Sequence, residues 1–197
     1  MTNPARLADL LLAIETEAQA FYSALARWFV DRPALRALWT ELAQDERAHA
    51  EWIRGVRELI GGGARLAGLP NLPTASLEAM LGQIREQRER IERGTYSAVE
   101  ALAATIALET SEVTDTLAEV VAAARPHLSS DPFVGDTVAH LRRLTEAVDR
   151  LSHPELSALL KSVMAKAEGQ FLRRRTILVV DDETDMLETC ARIFRRS

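Results

Sequence analysis

The chain has 197 residues, is rich in Ala, Leu, Glu and Arg, and is poor in glycine and aromatics, which fits one sizeable helical core and the start of a second domain. Acidic residues outnumber basic ones 29 to 24, which excludes the strong positive field that nucleic acid or an anionic membrane would need in a partner. No apolar run approaches the ~20 residues of a membrane span and no signal-peptide core precedes a cleavage site. The single cysteine, Cys190, excludes an intrachain disulfide and a cysteine-based metal cluster. The expected fold class is all-α and the expected location is the cytoplasm.

Asn3 and Pro4 make an N-cap and first-turn pair for a helix running to about Phe29. Asp31, Arg32 and Pro33 break the chain, and a second helix follows until the three glycines 61–63. After a loop with Pro70 and Pro73, a charged helix is predicted from about Ala75 to Arg93, where Arg85 to Arg93 alternates with Glu86, Glu89 and Glu92 as a solvated face. Ser97 and Glu100 fit a capping box, which opens a long helix continuing to about Ala124. The loop from Pro126 to Asp136 leads into a last long helix, which Pro154 should kink or divide. These elements predict two antiparallel helical hairpins joined by the charged helix as a crossover.

The chemistry concentrates on the second helix. Its inward stripe reads Leu35, Leu38, Leu42, Glu46, His49, Ile53, Val56, Ile60, at three- and four-residue spacing. Glu46 and His49 therefore stand in the middle of an apolar face, where an unpartnered ionisable group costs roughly 2 kcal/mol or more. A Glu-x-x-His pair on one helix face can hold one cation, and a buried hydrogen bond between the two residues is the simpler alternative. The first helix supplies Glu15 as the single charge on its stripe, with Tyr22 two turns further along the same side. A tight Asp-Arg-Pro turn lets Glu15 approach Glu46 and His49. In the second hairpin Glu109 borders the apolar stripe, and Glu112 lies one turn on. A second Glu-x-x-His is absent, and Glu146 with Asp149, or Asp149 with His153, are the nearest substitutes. Carboxylate oxygens with imidazole suit iron or manganese better than structural zinc.

Ala13-Ile14-Glu15 with Phe21-Tyr22, then Glu46 and His49, then Ile106 to Glu109, resemble the rubrerythrin-like branch of the ferritin-like superfamily over about residues 5–165. The resemblance implies a ferritin-like antiparallel four-helix bundle with a crossover helix over residues 1–172. It also implies a carboxylate-bridged centre of two iron or manganese ions that reacts with peroxide or oxygen. Position by position it assigns Glu15, Glu46, His49 and Glu109 as ligands. Glu112 corresponds to an additional carboxylate, and Glu146 and Asp149 stand in on the last helix. Tyr22 corresponds to a tyrosine that hydrogen-bonds near the centre and takes part in its chemistry. The rubredoxin electron-transfer module has no counterpart, because its cysteines are absent.

Residues 173–197 carry a second resemblance. After Arg173-Arg174-Arg175, the run Thr176-Ile-Leu-Val-Val-Asp181-Asp182-Glu183 resembles the first strand of a response-regulator receiver domain. There the pair Asp181 and Asp182 would hold Mg²⁺. One strand and one helix cannot satisfy a parallel sheet, so the expectation is a truncated β-α stub, poorly ordered or docked on the helices. Together the two resemblances imply a homodimeric redox, peroxide, oxygen or iron sensing input of a two-component protein, with a histidine kinase as partner of the complete receiver. The alternatives are a rubrerythrin-type peroxidase or ferroxidase, and a metal-free structural bundle.

Overall fold

The computed structural model describes residues 3–64, 66, 74–128, 136–150, 154–158 and 160–161, with the side chains of 112–116, 118, 125 and 136–138 excepted. Helix dominates, and the described residues contain no strand. The receiver-like stretch with Asp181 and Asp182, and the expected division after residue 172, lie outside the described residues.

Helix α1 spans Pro4–Trp28. Asn3 starts it by accepting the Ala5 N–H on its side-chain oxygen at 2.9 Å, with Pro4 in the first turn where no N–H is needed. Leu7, Leu11, Ile14, Ala18, Phe21, Tyr22 and Leu25 form its buried face. A four-residue connection then leads to α2, Pro33–Gly61, which buries Leu35, Leu38, Trp39, Leu42, Ile53 and Val56. Each fully buried Leu, Ile or Val contributes about 1.5–3 kcal/mol relative to exposure. Asp9 pairs with Arg57 near one end of the two helices, and Glu15 faces His49 further in. Residue numbers fall on one helix as they rise on the other, so α1 and α2 are antiparallel neighbours.

Helix α3, Thr74–Glu92, packs along α1 in the same direction, since Arg6 pairs with Glu78 and Glu17 with Arg85 and Arg88. Gly94 ends it with φ of 78°, a conformation glycine adopts without the strain of a side chain. Ser97 then caps α4, Ala98–Glu109, in the expected capping box: its hydroxyl accepts the Glu100 N–H, and the Glu100 carboxylate accepts the Ser97 N–H.

The single long helix expected from Ser97 to Ala124 is two helices, α4 and α5, Glu112–Ala124. The break falls at Thr110 and Ser111. The Thr110 hydroxyl donates to the Ile106 carbonyl at 2.8 Å, and the Ser111 hydroxyl reaches the Met80 sulfur at 3.7 Å. At the break the Ser111 N–H bonds the Leu108 carbonyl, three residues back, at 3.3 Å, which tightens and closes the last turn of α4. Helix α6, Asp136–Arg150, packs against α2 and α4. Pro154 opens a further helical stretch over 154–158.

Candidate metal centre

Five ionisable residues meet in the core although each exposes between 2% and 9% of its surface: Glu15, Glu46, His49, Glu109 and His140. They come from four helices. Each is carried inward by the stripe it belongs to, with Ile14 and Ala18 flanking Glu15, Leu42 and Ile53 flanking Glu46 and His49, and Leu141 and Leu144 flanking His140. His49 Nδ1 lies 3.0 Å from Glu46 Oε2 and 3.4 Å from Glu15 Oε2. His140 Nδ1 lies 2.8 Å from Glu109 Oε2, and the two imidazole centroids are 6.0 Å apart. Tyr22, fully buried, donates its hydroxyl to Glu109 Oε1 at 2.7 Å.

The donor atoms form two overlapping triads, Glu15–Glu46–His49 and Glu46–Glu109–His140, each with its three atoms within 4.8 Å of one another. Glu46 belongs to both. Oxygen and nitrogen donors bind transition metals at about 2.0–2.2 Å, so three donors of one ion lie within about 4.4 Å of each other. Only a small closure separates either triad from a coordination shell. Three carboxylates and two imidazoles are thus a donor set that could hold a metal ion.

A second layer holds the first. His140 Nε2 lies 3.1 Å from Asp45 Oδ2, and Arg143 donates to the same carboxylate oxygen. Asp45 thereby fixes the ring of His140 so that Nδ1 faces the cluster, as outer carboxylates do for metal-ligating histidines. The hydrogen bond from His140, reinforced by Arg143 against partial burial, lowers the Asp45 carboxyl below its usual range.

Protons hold the cluster together in this structure. Burial alone would depress His49, but hydrogen bonds to Glu15 and Glu46 and the charge on both outweigh it and push the imidazole up to about 11. Burial also works against His140, and the Glu109 charge with the bonds to Asp45 and Glu109 raises it to about 10. Glu46 is raised by burial and by the neighbouring Glu15. Glu109 is lowered despite its burial, by the charge and hydrogen bond of His140 and by Tyr22. Tyr22 is pushed well above its ordinary value by burial and by the charges of Glu109 and Glu46.

The structure brings together Glu15, Tyr22, Glu46, His49 and Glu109. Glu112 begins α5, and its side chain is not among those described. Glu146 and Asp149 do not join the cluster. Both are exposed on α6, where Glu146 pairs with Arg150 at 3.4 Å and Asp149 accepts from Ser157 at 3.0 Å. Their place is taken by His140, which the sequence reasoning missed. His153, the other substitute, lies outside the described residues. The signal for His140 was present, since His140, Leu144 and Val148 share a four-residue spacing on the buried face of α6. Among the described residues no helix is long and apolar enough to cross a membrane. No family model matches the chain, and no curated protein or solved structure matches it either.

Proposed function

We propose that the buried cluster binds two redox-active divalent ions, iron or manganese, and that this centre reacts with peroxide or dioxygen. The single observation that carries the reading is the pair of three-donor groups sharing Glu46 in the core. Glu15 and His49 would hold one ion, Glu109 and His140 the other, and Glu46 would bridge them. A metal centre of this kind supplies electrons to an oxidant, one or two at a time. The protein supplies a dry, carboxylate-rich pocket, a hydrogen-bond donor in Tyr22, and a fixed imidazole orientation through Asp45. The antiparallel pair α1 and α2, with α3 running along α1, supports a ferritin-like bundle with α3 as the crossover between hairpins.

In this reading the centre is a sensing input, because the sequence around Asp181 and Asp182 resembles a receiver domain. A second reading, a turning-over peroxidase or ferroxidase, is favoured by one observation. His140 joins Glu46 and Glu109 in a second donor triad, and two complete positions would support repeated cycles. Elemental analysis after aerobic and anaerobic purification tests the metal, with close to two ions per chain expected. A content below a tenth of an equivalent of iron or manganese, in protein whose stability is unchanged by Glu46→Ala, would leave the cluster a structural polar network. Steady-state peroxide turnover with a supplied reductant separates sensor from enzyme. Many turnovers per second, abolished by Glu46→Ala, establish the enzyme.

A further inference from the structure

The outward side of the α1–α2 hairpin carries a groove of about 500 Å³. Its floor is made of small side chains, Ser23, Ala26 and Ala43, and its rim of three arginines, Arg27, Arg36 and Arg47. No aspartate or glutamate lines it, in a chain where acids outnumber bases by 29 to 24. The arginines of α3 show the contrast. Arg85, Arg88, Arg90 and Arg93 each have a carboxylate partner, whereas among the described residues Arg27 and Arg36 have no ion-pair partner. Arg47 pairs only with Glu51, one turn along its own helix, in a largely exposed contact of 3.2 Å. Such pairs are worth a few tenths of a kcal/mol and are readily exchanged for a better partner.

We infer that this groove docks an acidic α-helix of a partner protein, with its backbone over Ser23, Ala26 and Ala43 and its carboxylates paired to Arg27, Arg36 and Arg47. The length fits: Arg36 and Arg47 are separated by about 16 Å of helix, or three turns. An elongated ligand with acids at both ends reaches all three cations, and a compact anion does not. The small floor residues let a second helix approach to the about 8–10 Å at which helices pack. A second copy of this chain is disfavoured on the same face, because two-fold symmetry would bring arginine against arginine. The inference does not depend on the metal centre, whose ligands occupy the inner faces of the same helices.

The probe is an amidated, fluorescein-labelled alanine-based peptide of about 18 residues with glutamate along one face, and its control carries lysine at the same positions. Fluorescence anisotropy against the full chain at low ionic strength should show saturable binding of the acidic peptide only, lost at about 0.5 M salt. The double variant Arg27→Gln/Arg36→Gln should weaken binding by about tenfold or more. Ala26→Trp, which fills the floor without changing charge, should weaken it comparably, with the helical circular dichroism unchanged in both variants. Equal binding by the double variant, equal binding of the lysine peptide, insensitivity to Ala26→Trp, or displacement by citrate as effective as by unlabelled peptide would each overturn the proposal. So would the absence of binding at millimolar peptide.

Discussion

His140 uses both of its ring nitrogens, Nδ1 toward Glu109 at 2.8 Å and Nε2 toward Asp45 at 3.1 Å. One side of the ring thus meets the cluster, and the other meets a half-buried carboxylate that Arg143 also holds. Removing the imidazole breaks the Glu46–Glu109–His140 triad. In His140→Ala the Glu15–Glu46–His49 group remains intact, so metal content should fall from about two ions per chain to about one. Glu46→Gln, which weakens the shared bridge, should lower both. Elemental analysis of the two variants side by side checks this, and equal losses in both would argue against two distinct positions.

Tyr22→Phe deletes only a hydroxyl, leaving Glu109 Oε1 without the donor it has at 2.7 Å. A hydrogen bond to a charged group contributes about 1.5–3 kcal/mol, so metal-free Tyr22→Phe should be less stable than the parent by about that much and unfold at lower denaturant. Urea denaturation monitored by circular dichroism measures it. Helix content at zero denaturant should not change.

The two imidazoles give the metal-free protein a defined dependence on pH. Their folded values, about 11 for His49 and about 10 for His140, lie above the ordinary 6.5. Each therefore contributes stability that is fully present below about 6.5 and is lost as pH rises through 10 to 11. Metal ligation needs both rings neutral, so loading near pH 7 should release protons, and apparent affinity should climb with pH across the neutral range. Calorimetric titration of manganese in buffers of different ionisation enthalpy counts the protons. A heat independent of buffer would contradict the protonated cluster.

Ser97→Ala removes one half of the capping box that starts α4, where Ser97 and Glu100 exchange hydrogen bonds of 3.2 and 2.9 Å. The expected cost is about 1 kcal/mol. Glu100 is held below its usual carboxyl range by the Ser97 backbone and side chain, so its share of the cap is present above about 4.5 and fades as pH falls through the lowered value. Thermal unfolding of the variant at neutral and acidic pH checks both, and the difference from the parent should shrink in acid.

The helix boundaries, the capping box and the inward placement of Glu15, Tyr22, Glu46, His49 and Glu109 were legible because each rests on local spacing. Glu46 and His49 interrupt an otherwise apolar stripe, and position on a stripe survives folding. The last helix was misread for a different reason. A second Glu-x-x-His was sought, and position 137, three residues before His140, is a threonine. Glu146 and Asp149 share the spacing of such a pair, but Asp149 lies at the margin of the stripe and Glu146 nearly opposite its centre, and both face solvent. The break after Glu109 was hidden too, since Thr110 and Ser111 are tolerated within helices, and Thr16, Thr40 and Thr105 make the same bond to the carbonyl four residues back in unbroken ones.

Because α4 stops at Glu109, this carboxylate sits at a helix C-terminus, toward which the carbonyl dipoles of the helix point. Those carbonyls amount to roughly half a negative charge, which adds to the charge on the side chain itself. An anion at this end of a helix is electrostatically the wrong way round. Positive charge placed beside it therefore relieves two repulsions at once, one within the cluster and one along the helix axis. If the proposed centre takes up a cation, binding it would also secure the last turn of α4, and amide hydrogen exchange at Ile106 to Thr110 should slow when manganese is added.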